Sequence, residues 1–143
     1  MRNPPERFSS VLASLHPTQW KSMELKAAKL FAREQINRGK KPILFIEREG
    51  DHVIGAVAGA VCKDWGGSFF AFDVVVDHNR QGRGIGKALI KATDDYYESI
   101  KHDLPDGPRA KIHVVNLVVE RLLQKLGYHF TSQRAFGSTM EKY

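Results

Sequence analysis

One short run of alternating glycines sits between a segment with strand character and one with helix character. Residues 81–87 read Gln-Gly-Arg-Gly-Ile-Gly-Lys. The residues before them, 69–76, are aromatic and β-branched, and residues 87–98 show helical spacing. Glycines let a backbone approach a ligand closely, and the first amides of a helix carry the positive end of its dipole. The run therefore predicts a strand–turn–helix unit that cradles a phosphate. Three cations add positive charge beside it: Arg80, Arg83 and Lys87.

Two common phosphate motifs do not fit this run. A P-loop needs a glycine five positions before the Gly-Lys pair and a hydroxyl after it, but Gln81 and Ala88 occupy those positions. A dinucleotide fingerprint needs a third glycine where this chain has Lys87 or Leu89, depending on the register. Glycine spacing alone does not choose the ligand, and a plain surface turn before a helix remains an alternative.

The length and composition predict one globular domain over residues 1–143. No apolar run approaches the roughly 20 residues of a membrane span. The first residues lack the apolar core of a signal peptide, and a single cysteine, Cys62, excludes an internal disulfide. We therefore expect a cytoplasmic protein that does not insert in a membrane. Cys62 ends a predicted buried strand and is interpreted as a core residue rather than a nucleophile.

A net charge of +6 favours partners that carry phosphate. Nucleic acid is one such partner. The basic residues, however, are spread along the chain in short doublets and do not alternate with aromatics in a stripe. The charge pattern therefore disfavours nucleic-acid binding as the main role and suits a small phosphorylated ligand.

Hydrophobic periodicity and turn residues predict an α/β (α+β) fold with a mixed, largely antiparallel central sheet flanked by helices. We expect residues 1–7 to be frayed and a helix to follow Thr18 as N-cap and stop at 37–39. The predicted strands are 8–15, 42–48, 52–62, 69–76, 110–115, 128–133 and 135–142. The other predicted helices are 84–101 and 117–126, the latter ended by Gly127.

Two of these segments resemble landmarks of a known family. Gln81-Gly-Arg-Gly84-Ile-Gly86 is similar to the Gln/Arg-x-x-Gly-x-Gly/Ala signature of the GNAT acyltransferase superfamily. Residues 116–128 resemble its second landmark, in which an Asn ends a strand and a Leu-Gly-aromatic closes the next helix. The two landmarks occur in the expected order, and the resemblance is firm over residues 69–130. It implies an acetyl-CoA-dependent N-acetyltransferase that needs no metal, in which a primary amine attacks the thioester directly in a ternary complex.

The resemblance also implies where the cosubstrate binds. The pantetheine arm would lie along the strand before the glycine turn, and the pyrophosphate would rest on the turn's amides. Asn116 would lie beside the pantetheine or a catalytic water, or would simply cap its helix. The implied cofactor-binding residues are Val74, Val75, Val76, Gln81, Gly82, Arg83, Gly84, Ile85, Gly86, Lys87 and Asn116.

The catalytic groups are less well specified. Members of the family often have a Tyr acid at the position that is Leu123 here, so Tyr128 becomes a candidate acid, with core packing as the alternative. Asp73 is the candidate base, since burial in an apolar strand would raise its pKa, and a solvent-facing role is the alternative. His113, on the other cleft strand, is a second candidate because histidine is a common general base, with a structural role as the alternative, and Glu47 is a third candidate.

The acceptor amine carries no motif. By resemblance, we expect the N-terminal helix region and the loop between the last two strands to bind it. The basic helix over 20–38 suits an acidic acceptor or plain solvation. A non-catalytic acyl-CoA-binding or interaction module and a basic nucleic-acid-binding domain stay open as alternatives, and an exposed C-terminal strand edge could support a homodimer.

Overall fold

The computed structural model describes residues 4–8 and 15–143, which form one seven-stranded sheet with helices on both faces. The strands are β1 (Glu6–Arg7), β2 (Lys40–Glu49), β3 (His52–Asp64), β4 (Gly67–Val76), β5 (Ala110–Val114), β6 (His129–Arg134) and β7 (Gly137–Lys142). The helices are α1 (Met23–Arg38), α2 (Ile85–Ile100) and α3 (Leu117–Lys125), with 3₁₀ turns at Pro17–Gln19, His78–Arg80 and Lys101–Asp103.

The sheet runs in the order β1-β2-β3-β4-β5-β7-β6. Strands β2, β3 and β4 form an antiparallel meander, in which β3 is buried from Val53 to Ala60. Only β4 and β5 pair in parallel among the described strands, so the prediction of a mixed, largely antiparallel sheet is confirmed. A parallel pair needs a long crossover, and here α2 provides it.

Helices on the two faces of the sheet cover different strands. Helices α2 and α3 pack on one face, here called the α2 face, where Phe70, Phe72, Leu89 and Met140 share one buried cluster. Helix α1 packs on the opposite face, the α1 face, against β2, β3 and β4. Its cluster includes Leu25, Leu44, Ile46 and Val53. Alternate residues of a strand therefore meet different helices.

Helix α3 ends at Lys125, and Gly127 occupies the C′ position that stops it, as predicted. Gly127 has φ +97°, and its amide donates to Gln124 O at 3.1 Å, while Tyr128 N donates to Leu123 O at 3.0 Å. This pair of bonds is a Schellman motif, which satisfies carbonyls that the helix leaves without a partner.

The start of the first helix differs from the prediction. Thr18 lies in a 3₁₀ turn, and Trp20 forms an isolated bridge with Val53. Helix α1 begins only at Met23, where Ser22 Oγ accepts from Leu25 N at 3.1 Å. Thr18 is therefore not the N-cap, because the pairing of Trp20 with the sheet delays the helix.

The first strand also differs from the prediction. It is Glu6–Arg7, which pairs with Ile46 and Phe45 of β2 although residues 1–7 were expected to be frayed. Phe8 follows it and donates its amide to Leu44 O at 2.6 Å. The rest of the predicted strand, 9–14, and residues 1–3 lie outside the described residues. Nowhere in 4–8 or 15–143 does a helix combine the length and apolar character needed to cross a membrane.

Candidate functional site

A cleft opens where β4 and β5 part. These strands pair only at Phe70–Ala110 and Ala71–Lys111 and then diverge. The amide of Phe70 points towards β5 and donates to Arg109 O, the residue before that strand. The amide of Asp77 points the other way and donates to Ile54 O on β3. Peptide groups alternate in direction along a strand, so those of Val74 and Val76 face the cleft. Those of Val75 face β3, and its side chain packs on the α1 face.

The glycine turn lies at the end of this cleft and leaves the start of α2 without a side-chain cap. Gly84 is the N-cap at φ +79°, and Gly82 has φ +84°. A Cβ added at either glycine would meet nothing within 4 Å, so the approach is open. Ala88 N donates to Gly84 O at 3.0 Å, which leaves the amides of residues 85–87 as the unsatisfied first turn. These amides suit an anion.

Gly86 sets how closely the helix approaches the strand. A Cβ at Gly86 would lie 3.4 Å from Val76 Cγ2, a tight contact between α2 and β4. Ile85 is buried and fills the core below, so only its amide faces the turn. Gln81 is exposed.

Arg80 has a different role from the one expected. Its Nη1 donates to Asp77 Oδ2 at 2.8 Å, and its Nη2 and Nε donate to the two carboxylate oxygens of Glu49 at 2.7 and 3.2 Å. Asp77 is buried, and the hydrogen bonds from Arg80 lower the pKa of Glu49 to about 2. Arg80 thus ties the turn to the end of β2, and its charge is compensated. Positive charge beside the turn comes from Lys87, which is exposed, and Arg83, whose Nη1 is 3.7 Å from Glu49 Oε2.

Asn116 caps α3 across the cleft. Its Oδ1 accepts from Val118 N at 2.8 Å and Val119 N at 3.2 Å. The oxygen is therefore occupied, and the residue can offer a ligand only the two N–H bonds of Nδ2. Capping is confirmed, and any contact with a cosubstrate has to be that of a donor.

Asp73 and His113 lie on the α1 face on opposite sides of the cleft. Asp73 follows the last paired residue of β4, Ala71, by two positions, and His113 stands in the same relation to Lys111 on β5. The structure thus brings two of the predicted catalytic residues together.

Asp73 stands at the edge of a small cavity of about 20 Å³, room for roughly one water. Apolar groups such as Ala58 and Val75 line this cavity. Although Asp73 keeps contact with solvent, desolvation by its surroundings raises the pKa of its carboxyl. The amide of Val74, which donates to Oδ1 at 2.9 Å, and His113 offset part of this rise.

The other proposed catalytic residues lie elsewhere. Tyr128 is buried on the α2 face with its ring against Phe72, at 6.0 Å between centroids. Its hydroxyl meets no acceptor with hydrogen-bond geometry within the described residues, although the carboxylate of Asp94 lies nearby. Burial, together with the charge of Asp94, raises the pKa of Tyr128 far above the usual range. Glu47 shares the side of β2 that carries Ile43 and Phe45, which is the α2 face. Neither residue is brought together with Asp73 and His113.

Leu123 and Cys62 have no polar role at the cleft. Leu123 is fully buried in the core of the α2 face. Cys62 lies in β3, and burial raises the pKa of its thiol. A raised thiol pKa disfavours the nucleophilic thiolate, consistent with the interpretation of Cys62 as a packing residue.

Lys29 lies on the α1 face, in the basic helix for which the sequence left both an acidic acceptor and plain solvation open. It is buried, its Nζ donates to Leu15 O, and the ammonium lies 5.8 Å from the centroid of the Trp20 ring. Burial lowers its pKa. Lys29 and Asp73 line the same small cavity. The signal for it was its helical spacing, since it follows Leu25 by four residues and precedes Ala32 by three.

Comparison with known proteins decides the family. The model for the acetyltransferase (GNAT) domain matches residues 40–130, more than half of the chain. The chain belongs to the GNAT acetyltransferase family. The match includes both cleft strands, the glycine turn and α3, and so confirms the resemblance of the two landmarks. No curated protein matches the sequence.

Solved structures share the GNAT fold at low identity. The GNAT acetyltransferase of Streptococcus pneumoniae aligns with a TM-score of 0.59 at 14% identity, over 82% of this chain and 75% of that one. A GCN5-related N-acetyltransferase from Kribbella flavida aligns at 0.59 and 17%, over 92% and 84%. A chimera of the spermidine N-acetyltransferase SpeG from Vibrio cholerae and hSSAT aligns at 0.59 and 14%, over 98% and 95%. At these identities the likeness concerns the fold.

No group of three or more His, Cys, Asp or Glu side chains that could hold a metal ion occurs in the part of the chain that the structure describes. The chemical groups at the cleft are therefore the peptide groups of β4, the amides at the start of α2, the donor of Asn116 and the pair Asp73–His113. The first two suit an extended ligand with a phosphate at one end.

Proposed function

We propose that this GNAT protein is an acetyl-CoA-dependent N-acetyltransferase that transfers the acetyl group to a primary amine. One observation carries the proposal: the cleft between β4 and β5 ends at the uncapped first turn of α2. A long ligand can then pair with strand β4 and place a pyrophosphate on the turn. Acetyl-CoA has this form, because its extended arm contains amides and is joined to a pyrophosphate.

The cosubstrate would be held mainly by backbone groups. The carbonyl of Val74 and the backbone groups of Val76 would pair with the amides of the pantetheine arm, and the amides of residues 82–87 would bind the pyrophosphate. Arg83 and Lys87 would add charge-assisted contacts to phosphate. Asn116 would donate from Nδ2 to a carbonyl of the arm, since its oxygen is committed to the helix cap.

The acetyl group would be transferred by direct attack. The amine nitrogen forms a bond to the thioester carbonyl carbon, and a cleft-facing amide, that of Val74, stabilises the oxygen that becomes negative. The carbon–sulfur bond then breaks, and the thiolate of coenzyme A leaves. Asp73, next to His113, takes the proton that the attacking ammonium must lose. Alignment of the two substrates supplies much of the rate.

The thiolate needs little help to leave. Leu123 is an apolar core residue, and Tyr128 is buried on the other face of the sheet. A thiolate is a much weaker base than an alkoxide or an amide anion, so it can leave before it is protonated. Solvent at the cleft can then supply its proton. We therefore propose catalysis by a base and an oxyanion donor without a tyrosine acid.

A thiol-release assay tests the function. Wild-type protein, acetyl-CoA and a panel of primary amines should release free coenzyme A and form an acetylated amine of the corresponding mass. Gly84→Asp, which places a carboxylate at the phosphate site, should abolish both signals. Binding of acetyl-CoA with no thiol release for any amine would instead indicate a non-catalytic acyl-CoA-binding module.

A further inference from the structure

A broad groove extends from His113 over the α1 face of the sheet's second half. No helix within the described residues covers this face of β5, β7 and β6, and the groove has a volume of about 500 Å³. Its floor consists of Lys111, His113, Thr131, Ser132, Thr139 and Glu141. Since His113 and Asp73 lie at the same level, two residues beyond the last paired residues of β5 and β4, the groove starts beside the proposed reaction centre.

The acidic groups near the floor are already paired. Arg109 donates to both oxygens of Asp64, at 2.7 and 2.9 Å, and to Glu141 Oε1 at 2.6 Å. Lys111 Nζ donates to Asp64 Oδ2 at 3.2 Å. The Arg109 guanidinium holds the pKa of Asp64 well below its usual range and also lowers that of Glu141. These carboxylates are engaged with cations of the protein, so they offer little to a cationic ligand.

Arg134 supplies a cation whose charge is not compensated. It lines the groove, is exposed, and has no ion-pair partner among the residues described. It pairs with Gly137 at the start of β7, and a Cβ at Gly137 would lie 2.7 Å from His113 Nε2. The His113 ring therefore lies over Gly137, the residue that pairs with Arg134, and a side chain at this position would displace it.

We propose that the acceptor is a small primary amine that also carries an anionic group, such as an aminocarboxylate. This inference rests on the proposed acetyl transfer and names its acceptor class. The amine lies at Asp73 and His113, and the anion lies at Arg134. Two strand spacings, roughly 10 Å, separate the backbones of β5 and β6, a gap that a short molecule and the arginine side chain together span. The second amine of a polyamine would meet the positive charge of Arg134.

Three acceptors of equal length test the charge preference. These are 4-aminobutyrate, 4-aminobutyramide and 1,4-diaminobutane, which carry an anionic, a neutral and a cationic group at the far end. We expect kcat/KM for acetyl transfer to fall in that order. Arg134→Glu should lower the value for 4-aminobutyrate by at least about tenfold, the usual effect of losing a charge-assisted hydrogen bond, and should raise that for the diamine.

Lys125→Glu is the matched control, because it makes the same charge reversal at an exposed site on α3 outside the groove. It should change each value less than about twofold. Equal or better transfer to the diamine by wild type, or equal effects of the two substitutions, would overturn the acceptor class while leaving acetyl transfer intact.

A binding measurement separates failure of the acceptor class from failure of the enzyme. If no amine is acetylated, ligand-observed NMR with the coenzyme A-saturated protein measures the same three compounds. Selective binding of 4-aminobutyrate that Arg134→Glu removes supports the anion site and refutes catalysis. Absence of such binding overturns the anion site as well.

Discussion

The carboxylate of Asp73 accepts a hydrogen bond from the backbone amide of Val74, with Oδ1 and N 2.9 Å apart. This amide faces the cleft between β4 and β5, where no strand pairs with it. In the proposed reaction the same amide stabilises the developing oxyanion, and the same carboxylate receives a proton from the amine. Substrate binding therefore has to separate the two groups, so that the donor and the base become available together.

Asp73→Asn separates the charge of this residue from its hydrogen bond. The amide oxygen of Asn can still accept from Val74 N, but it cannot serve as a base. We expect kcat for acetyl transfer to fall by about 10²- to 10⁴-fold. Because only the deprotonated carboxylate acts, wild-type activity should rise with pH through the raised pKa of Asp73, and this limb of the pH–rate profile should be absent in the variant.

Stability provides the control for Asp73→Asn. A carboxyl whose pKa is raised by folding lowers stability once pH exceeds its unfolded pKa, so the variant should melt at the same temperature as wild type or above it near neutral pH. Asp95→Asn makes the same change at an exposed position on α2 and should leave kcat intact. A wild-type rate and pH profile for Asp73→Asn would exclude Asp73 as the base.

Asn116→Asp distinguishes the helix cap from the cosubstrate contact. Asp is as good an N-cap as Asn and still accepts from the amides of Val118 and Val119, so the melting temperature should change little. The donor Nδ2 is lost, however, and a negative charge takes its place. We expect acetyl-CoA to bind more weakly by about tenfold or more in calorimetric titrations. Unchanged affinity would mean that Asn116 acts only as a cap.

Tyr128→Phe tests whether a tyrosine acid is needed. The buried hydroxyl of Tyr128 lacks a partner among the described residues, so its removal should leave stability unchanged or raise it by about 1 kcal/mol. The matched change Tyr97→Phe removes a hydroxyl that donates to Lys142 O at 3.2 Å and should lower stability by about 1 kcal/mol. We expect Tyr128→Phe to keep its kcat. A large loss of kcat with an unchanged fold would instead identify Tyr128 as the acid.

Local signals predicted the fold because they agreed with one another. Gly127 predicted the end of α3, and the aromatic and β-branched residues before the glycine turn predicted β4. The prediction for Thr18 was wrong because the residue after the turn, Trp20, pairs with β3 rather than continuing a helix. No local pattern reports such a long-range contact.

The site was predictable where backbone groups form it and less so where side chains do. The glycine turn consists of consecutive residues, whereas the salt bridge between Arg80 and Glu49 joins positions 31 residues apart. A sequence cannot show that Glu49 compensates this arginine. Likewise, only the parting of β4 and β5 shows that Asp73 and His113 face each other. Asn116 was predictable as a cap from its type and position.

The most direct test of the central claim is a calorimetric titration of acetyl-CoA into wild-type protein and two glycine variants. Gly84 and Gly107 both have positive φ, +79° and +97°, and at both an added Cβ would meet nothing within 4 Å. Gly84→Asp and Gly107→Asp therefore impose the same kind of backbone strain, but only the first places a carboxylate at the phosphate turn. We predict that wild type and Gly107→Asp bind acetyl-CoA and that Gly84→Asp does not. No binding by wild type at near-millimolar acetyl-CoA, or equal binding by the two variants, would contradict this account of the cleft.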